Sequence, residues 1–406
     1  MKVKGWPLRP LGRCAKFLSG GTPSKARPEF WDGDIPWVSS GEMARIRIHD
    51  TSLRITPEAA EEGSRLVPEN TVLAVVRGMS LAKEFRVAIT RREVAFNQDL
   101  KAFACVPDID PEFLFYALFA RREHIRELAT EASHGTKKLD TNVLAAVQLP
   151  VPLPDVQRRT VAVVSAYDDL IENNQRRMQL LEEAARLLYR EWFVRLRFPG
   201  YEHTRRRTGL PEGWERKRIG DIADCVGGGT PSTTVSAYWE DGTITWVTPT
   251  DVTRNQHLVL LDAEKRITES GLNDSSAKLV PPHAVLMTSR ASVGFFAVAG
   301  RVVCTNQGFI SIVPQHVAYS TFLLLQLSER VEEIRAMGSG STYPEVSRGK
   351  FREFDVLVPP RRLVVDFDEQ ASPCLKQILV LKLQTKKLRA ARDLLLPRLM
   401  SGEIAV

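Results

Sequence analysis

The residues able to do chemistry come in duplicated strings. Gly20-Gly21-Thr22-Pro23-Ser24 returns as Gly228-Gly229-Thr230-Pro231-Ser232. Paired glycines let a backbone lie close to another surface, and the hydroxyls of Thr22, Ser24, Thr230 and Ser232 suit a phosphate or a neighbouring loop equally. The string lacks the G-x-x-x-x-G-K-[ST] and G-x-G-x-x-G spacings, so it is no nucleotide loop. Asn97-Gln98 returns as Asn306-Gln307; amides placed together at a turn, Gln98 and Gln307 among them, either read an adenine edge or cap a β-turn. Arg77 beside Gly78 and Arg290 beside Ala291 each follow a β-rich run, where a guanidinium forks onto a guanine or sits in a surface ion pair. Gly135-Thr136-Lys137-Lys138 and Gly340-Ser341-Thr342-Tyr343 occupy matched places. They are small polar loops suited to phosphate contact through Lys137, Lys138, Ser341 and Tyr343.

Against these binding groups, catalytic constellations are missing. No G-x-S-x-G elbow occurs, and the seven histidines form no H-x-x-x-H pair for a metal. An amino-methyltransferase needs a polar-Pro-Pro-aromatic tetrapeptide; the nearest strings, Val280-Pro281-Pro282-His283 and Val358-Pro359-Pro360-Arg361, lack both the polar amide and the aromatic. The expectation is a chain with no catalytic site, no metal and no cofactor. Five scattered cysteines without a C-x-x-C pair fit reduced thiols in a cytoplasm. No apolar run reaches the ~18–20 residues of a membrane helix, and the first residues carry no apolar signal segment, so no membrane partner is expected. The net charge of +7 is compatible with nucleic acid without establishing it.

The elements that must position these groups are themselves duplicated. Trp6, Leu11, Gly12 and Ala15 recur as Trp214, Ile219, Gly220 and Ala223. Trp31-x-Gly33-x-Ile35-x-Trp37-Val38 recurs with a one-residue slip as Trp239-x-x-Gly242-x-Ile244-x-Trp246-Val247. Arg54-Ile55-Thr56, Leu66-Val67-Pro68 and Val151-Pro152 answer Arg266-Ile267-Thr268, Leu279-Val280-Pro281 and Val358-Pro359. So many matches in one order, over a period longer than any solenoid unit, mean a duplicated domain. The paired tryptophans serve either as core or as base-stacking platforms. Short β-rich runs at 71–77, 85–90, 101–106, 284–289, 295–298 and 309–313 precede helical stretches at 111–131 and 319–336. The fold class is therefore α+β.

Each copy runs into a long helix. Residues 155–194 contain no Pro or Gly and carry Ile171, Asn174, Met178, Leu181, Ala185, Leu188 and Trp192 in steps of three and four. Ile378, Leu381, Thr385, Leu388, Arg392, Leu395 and Leu399 repeat that spacing. Two such seams can bury each other as an antiparallel pair of helices. Asp155 is the expected N-cap, and Pro373 and Pro397 are expected to break or kink the second helix near its ends. The Phe198-Pro199-Gly200-Tyr201 string, Arg205-Arg206-Arg207 and Leu210-Pro211-Glu212-Gly213 are expected to form an exposed linker. The boundaries that follow are a globular module at 1–152, a helical segment at 153–200, a second module at 201–359 and a second helical segment at 360–406.

At this point the chain resembles the specificity subunits of type I restriction–modification systems, which defend cells against foreign DNA. The likeness rests on the paired Gly-Gly-Thr-Pro-Ser with its downstream Ile-x-Trp-Val, and on the paired Asn-Gln. It rests also on Leu188-Tyr189-x-x-Trp192-Phe193 followed by Phe198-Pro199-Gly200, and on Leu396-Pro397-Arg398-Leu399-x-Ser401-Gly402-x-Ile404. The resemblance implies two target recognition domains, each reading one half of an interrupted site in double-stranded DNA. It implies a coiled-coil spacer that docks two adenine-N6 methyltransferase subunits, the S-adenosylmethionine residing in those partners, and restriction subunits in the larger assembly. The competing readings are a self-sufficient DNA-modifying enzyme and a non-catalytic protein scaffold.

Overall fold

The computed structural model describes residues 6–133, 135–207, 209–338 and 344–406. The chain divides into two compact units, residues 1–170 with 388–406, and residues 171–387. Each holds one recognition module and a stretch of both long helices.

In the first unit, strand Val72–Val75 shows why the module has layers. Val72 and Ala74 join a cluster with helix Pro111–Ala120, while Leu73 and Val75 join another with Val38, Phe96 and Leu100. Alternate residues point to opposite faces, so a strand apolar at every position must be covered on both sides. The five-stranded sheet has the order Ala15–Ser19, Leu100–Cys105, Val72–Val75, Val87–Thr90, Arg47–Ile48. Only the last pairing is parallel. A four-stranded sheet, Arg54–Ile55, Ile35–Val38, Val94–Phe96, Leu66–Val67, lies beside it in the fold. Helix Pro111–Ala120 opens on Asp110, whose carboxylate accepts from Phe113 N, with Pro at the first helical position.

The second unit repeats these two sheets strand for strand. Its five-stranded order is Ala223–Gly227, Phe309–Pro314, Val285–Thr288, Phe296–Ala299, Val259–Leu260, and its four-stranded order is Lys265–Ile267, Ile244–Val247, Val303–Thr305, Leu279–Val280. The duplication read from scattered matches is thus a duplication of topology, and the fold is α+β.

The first long helix runs Pro154–Tyr189 and widens into a π turn at Arg190–Val194. That turn lets the neighbours Trp192 and Phe193 both be buried, which a regular helix periodicity would oppose. The helix starts at Pro154, with Val156 N donating to Leu153 O, so Asp155 lies in the first turn and is not the N-cap. The second helix, Arg361–Ser401, is continuous; Pro373 and Pro397 do not break it. Both prolines and the residues four before them, Glu369 and Asp393, are exposed, so a carbonyl that loses its amide partner can be hydrated. Packing of Ala371, Leu375, Leu396 and Leu399 on the other face holds the axis.

Within each unit the helices pair antiparallel. In the first, Asp168 meets Arg392 while the earlier Val164 shares a cluster with Leu396 and Leu399. In the second, Met178, Ala185, Tyr189 and Trp192 share a cluster with Ile378, Leu381, Leu375 and Phe367. Of the proposed seam, Ile171, Met178, Trp192, Ile378 and Leu381 are buried, whereas Leu181, Leu188, Leu388 and Leu395 are half-buried. The linker also differs from expectation. Phe198 is 6% exposed against Trp214, and Arg206–Arg207 pairs with Leu210–Pro211 as a hairpin.

Candidate nucleic-acid interface

The duplicated strings meet in space, in the same way in both modules. Gly21 N donates to Phe96 O and Gly229 N to Thr305 O, both at 2.9 Å. A Cβ on Gly20 would lie 2.1 Å from Phe96 O, and one on Gly228 would lie 2.1 Å from Asn306 O. The surface that the glycines approach is therefore the Asn-Gln turn of their own module. Edge-to-face tryptophans hold the loop from beneath, Trp31 with Trp37 and Trp239 with Trp246, each pair 5.0 Å between centroids. Trp37 and Trp246 donate to Gly21 O and Gly229 O, and Trp31 and Trp239 to Ser24 O and Ser232 O. These four indoles are scaffold.

On this scaffold the two amides divide their work. Asn97 Oδ1 accepts from Asp99 N at 3.1 Å, and Asn306 Oδ1 from Gly308 N at 2.9 Å, so the asparagines cap the turn. Gln98 and Gln307 face outward and exposed. Thr22 Oγ1 donates to Gln98 Oε1 at 2.5 Å, and Thr230 Oγ1 makes the same bond to Gln307 Oε1. Ser24 and Ser232 are exposed beyond them, Ser232 Oγ lying 2.8 Å from Thr234 Oγ1.

The same turn places the arginines. Val76 N and Arg77 N donate to Asp99 O, and Ser289 N donates to Gly308 O, so each arginine stands beside its glutamine's turn. Arg77 is exposed and, among the described residues, has no acidic partner. Strand Arg77–Gly78 pairs with Thr136–Lys138, setting Lys138 opposite Arg77 and Lys137 opposite Gly78. Gly78 has φ +131°, a conformation that L side chains rarely adopt. Arg290 forms a bridge with Glu345, its Nε 3.5 Å from Oε2. The surface ion pair therefore holds for Arg290 and not for Arg77. Thr22, Gln98, Arg77, Lys137 and Lys138 come together in one module, and Thr230, Gln307 and Arg290 in the other. Ser341 and Tyr343 lie outside the described residues.

Sequence reasoning missed the polar contacts that seat each module on its stretch of helix. Arg47, on the edge strand, meets Asp169 at 2.5 Å. In the other unit Glu182 Oε1 accepts from Leu258 N at 2.7 Å and lies 3.1 Å from His257 Nδ1. Lys382 Nζ donates to Asn255 Oδ1 at 2.5 Å and Val259 O at 2.7 Å. Burial pulls Lys382 down to about 8, with Glu182 opposing. Also missed was a buried triad in the first unit: Tyr116 Oη donates to Asp168 Oδ2 at 2.9 Å, and Arg392 Nη1 to Asp168 Oδ1 at 2.5 Å. Burial first, and then the Asp168 carboxylate, push the Tyr116 phenol far above its ordinary range, so it stays a donor. The available signal was the seam itself, extended back one step from Ile171 to Asp168. Among the described residues no three His, Cys, Asp or Glu side chains are grouped to hold a metal, and no helix is long and apolar enough to cross a membrane.

A duplicated α+β module with exposed polar side chains at matched places, carried in each unit on antiparallel helices, defines the class: two copies of one module in a single chain. The chain belongs to the family of the type I restriction modification DNA specificity domain, whose model matches residues 3–183 and again 211–363. It is 28% identical to the type I restriction enzyme MjaIX specificity subunit of Methanocaldococcus jannaschii, across 99% of this chain and 94% of that protein. The EcoR124I/EcoR124II specificity subunit of Escherichia coli is 32% identical over 39% of this chain and 40% of its own length. Among solved structures, a type I S subunit from M. genitalium superposes with TM-score 0.63 at 15% identity, covering 97% of this chain and 96% of that one, which bears out the fold.

Proposed function

We propose that this chain is the DNA-reading specificity subunit of a type I restriction–modification complex, itself without a catalytic site or cofactor. The observation that carries it is the repeated donor cluster, Thr22, Gln98 and Arg77 in one module and Thr230, Gln307 and Arg290 in the other. One module alone would bind a single short site; two, within one chain, suit an interrupted one. Modules at 1–152 and 201–359 each read half of the target in double-stranded DNA, and spacers at 153–200 and 360–406 set the gap. Ser24, Lys137, Lys138, Ser232, Ser341 and Tyr343 complete the DNA-facing set. The helices dock two methyltransferase subunits that modify adenine N6, restriction subunits join them, and the complex works in the cytoplasm.

Replacing residues 1–152 by the module of another family member, with the modification subunits present, tests the division of labour. One half of the methylated motif should change and the other should stay. A change in both halves, or in neither, refutes it. Incubated alone with labelled S-adenosylmethionine and DNA, the chain should transfer no methyl group; turnover would make it an enzyme in its own right.

A further inference from the structure

We infer that Thr22–Gln98–Arg77 and Thr230–Gln307–Arg290 are matching grips on the DNA sugar–phosphate backbone, the second with its arginine engaged by Glu345, holding each module in register without reading its bases. The inference rests on the DNA-reading function proposed above and divides that labour between residues.

The first argument is sameness. The two modules act as an internal comparison: the threonine, the glutamine and the arginine are identical at matched places. Their flanks are not, since Met79 stands where the other module has Ser292, and Lys138, opposite Arg77, stands where it has Glu345, opposite Arg290. A group present in both copies cannot tell two different half-sites apart. What both half-sites share is the phosphate backbone, which carries no sequence information and fixes register and orientation.

The second argument is chemical. An adenine edge offers N6–H₂ as donor and N7 as acceptor, so a glutamine reading it must present both its oxygen and its nitrogen. Here the carbonyl end of Gln98 is turned to the Thr22 hydroxyl, and that of Gln307 to Thr230. Among the described residues neither Nε2 has a partner, so the outward face of the amide offers donors. A guanidinium is donor-only as well. Two donor groups, placed side by side by the backbone hydrogen bonds to Asp99 O and Gly308 O, match a partner that only accepts; phosphate oxygens and the guanine O6/N7 edge both do, and the presence of the same pair in both modules selects the phosphate. Base reading then falls to residues that differ between modules, Met79, Lys137 and Lys138 in the first.

The test uses the full chain assembled with its modification subunits, a duplex library with both half-sites randomised, and a salt titration. Arg77→Ala should weaken binding to every sequence by a common factor, about tenfold for a lost charged hydrogen bond. It should reduce the slope of log affinity against log salt by about one, and preferences at both half-sites should stay as they were. Arg77→Lys should recover most of the affinity, because a point charge serves a phosphate but not a forked guanine contact. Gln98→Leu should give a smaller, equally uniform loss. Relaxed preference at any one position, or Arg77→Lys failing as badly as Arg77→Ala, would overturn the backbone grip while leaving the DNA-reading function standing. Unchanged affinity and slope in all three variants would overturn it by taking the cluster off the duplex. An unaltered complex with no sequence preference at all would instead overturn the function on which the inference rests.

Discussion

Substituting the buried triad Tyr116–Asp168–Arg392 asks what a buried ion pair contributes to this fold. The Asp168 and Arg392 side chains are only 1% and 9% exposed, and Asp168 takes its two hydrogen bonds from Arg392 and Tyr116. Arg392→Met keeps much of the stem's volume and removes the charge, leaving a carboxylate buried with one neutral donor. Removing one partner of such a pair costs ~3–5 kcal/mol, because the other charge stays desolvated. The chain's own duplication supplies the control. The correspondence that carries Val151 to Val358 carries Asp168 to Leu375 and Ala185 to Arg392, and helix Tyr319–Glu329 places Leu323, Leu324 and Leu325 where the first module has Tyr116. All five of these counterparts in the second unit are apolar or Ala and buried, Arg392's own counterpart being Ala185 at 1% exposure. The triple variant Tyr116→Phe, Asp168→Leu, Arg392→Met makes the same places apolar in the first unit while keeping most of the arginine's volume. It forfeits the Arg392 contacts with Asp393 and the Phe119 ring, each worth roughly 0.5–1 kcal/mol. It also sheds the desolvation cost, so its net effect should lie within about 1–2 kcal/mol of zero. Hydrogen exchange of amides in residues 157–170, with denaturant melts alongside, reports the local opening free energy. A triple variant as unstable as Arg392→Met would mean that the charges contribute net stability, and a cost below ~1 kcal/mol for Arg392→Met would mean that Asp168 is not truly desolvated; either refutes the reasoning.

Other perturbations have equally definite outcomes. Lys382 is pulled from 10.5 to about 8 by burial, so between those values the unfolded chain holds the proton more tightly, and stability should rise with pH across that window. The protonated form is disfavoured by roughly 2–4 kcal/mol, and Lys382→Met should lose the rise when melts at pH 7 and 9.5 are compared with the unaltered chain. Glu345→Ala removes the acid that engages Arg290; affinity for DNA should increase and its salt dependence steepen by up to about one counterion in a salt titration. Pro373→Ala restores one backbone hydrogen bond on an exposed helix face and should stabilise the chain by ~1–3 kcal/mol in thermal melts, proline's restriction of the unfolded chain offsetting part of the gain.

Read without coordinates, the residues already specify a good deal. Repetition of Gly-Gly-Thr-Pro-Ser, Ile-x-Trp-Val and Asn-Gln in one order could arise only from two copies of one module, because each string makes a local structure that needs its own partners. Steps of three and four in 155–194 and 378–399 could only be helices, because no other period buries that stripe. The tertiary structure decided the rest, for reasons of distance and solvent. Whether the glycine string faced a phosphate or a loop depended on residues some seventy positions away, which no local window contains. Whether Arg77 and Arg290 were paired depended on a bridge to Glu345 that exists in only one module. Proline's effect on the second helix depended on which face it occupied, since the lost amide bond is costly only where water cannot replace it. Asp168 falls on the seam one step before Ile171, but a carboxylate there needs partners that the helix itself does not supply. Only the packed fold, by bringing Arg392 and Tyr116 against it from distant parts of the chain, could make its burial tolerable.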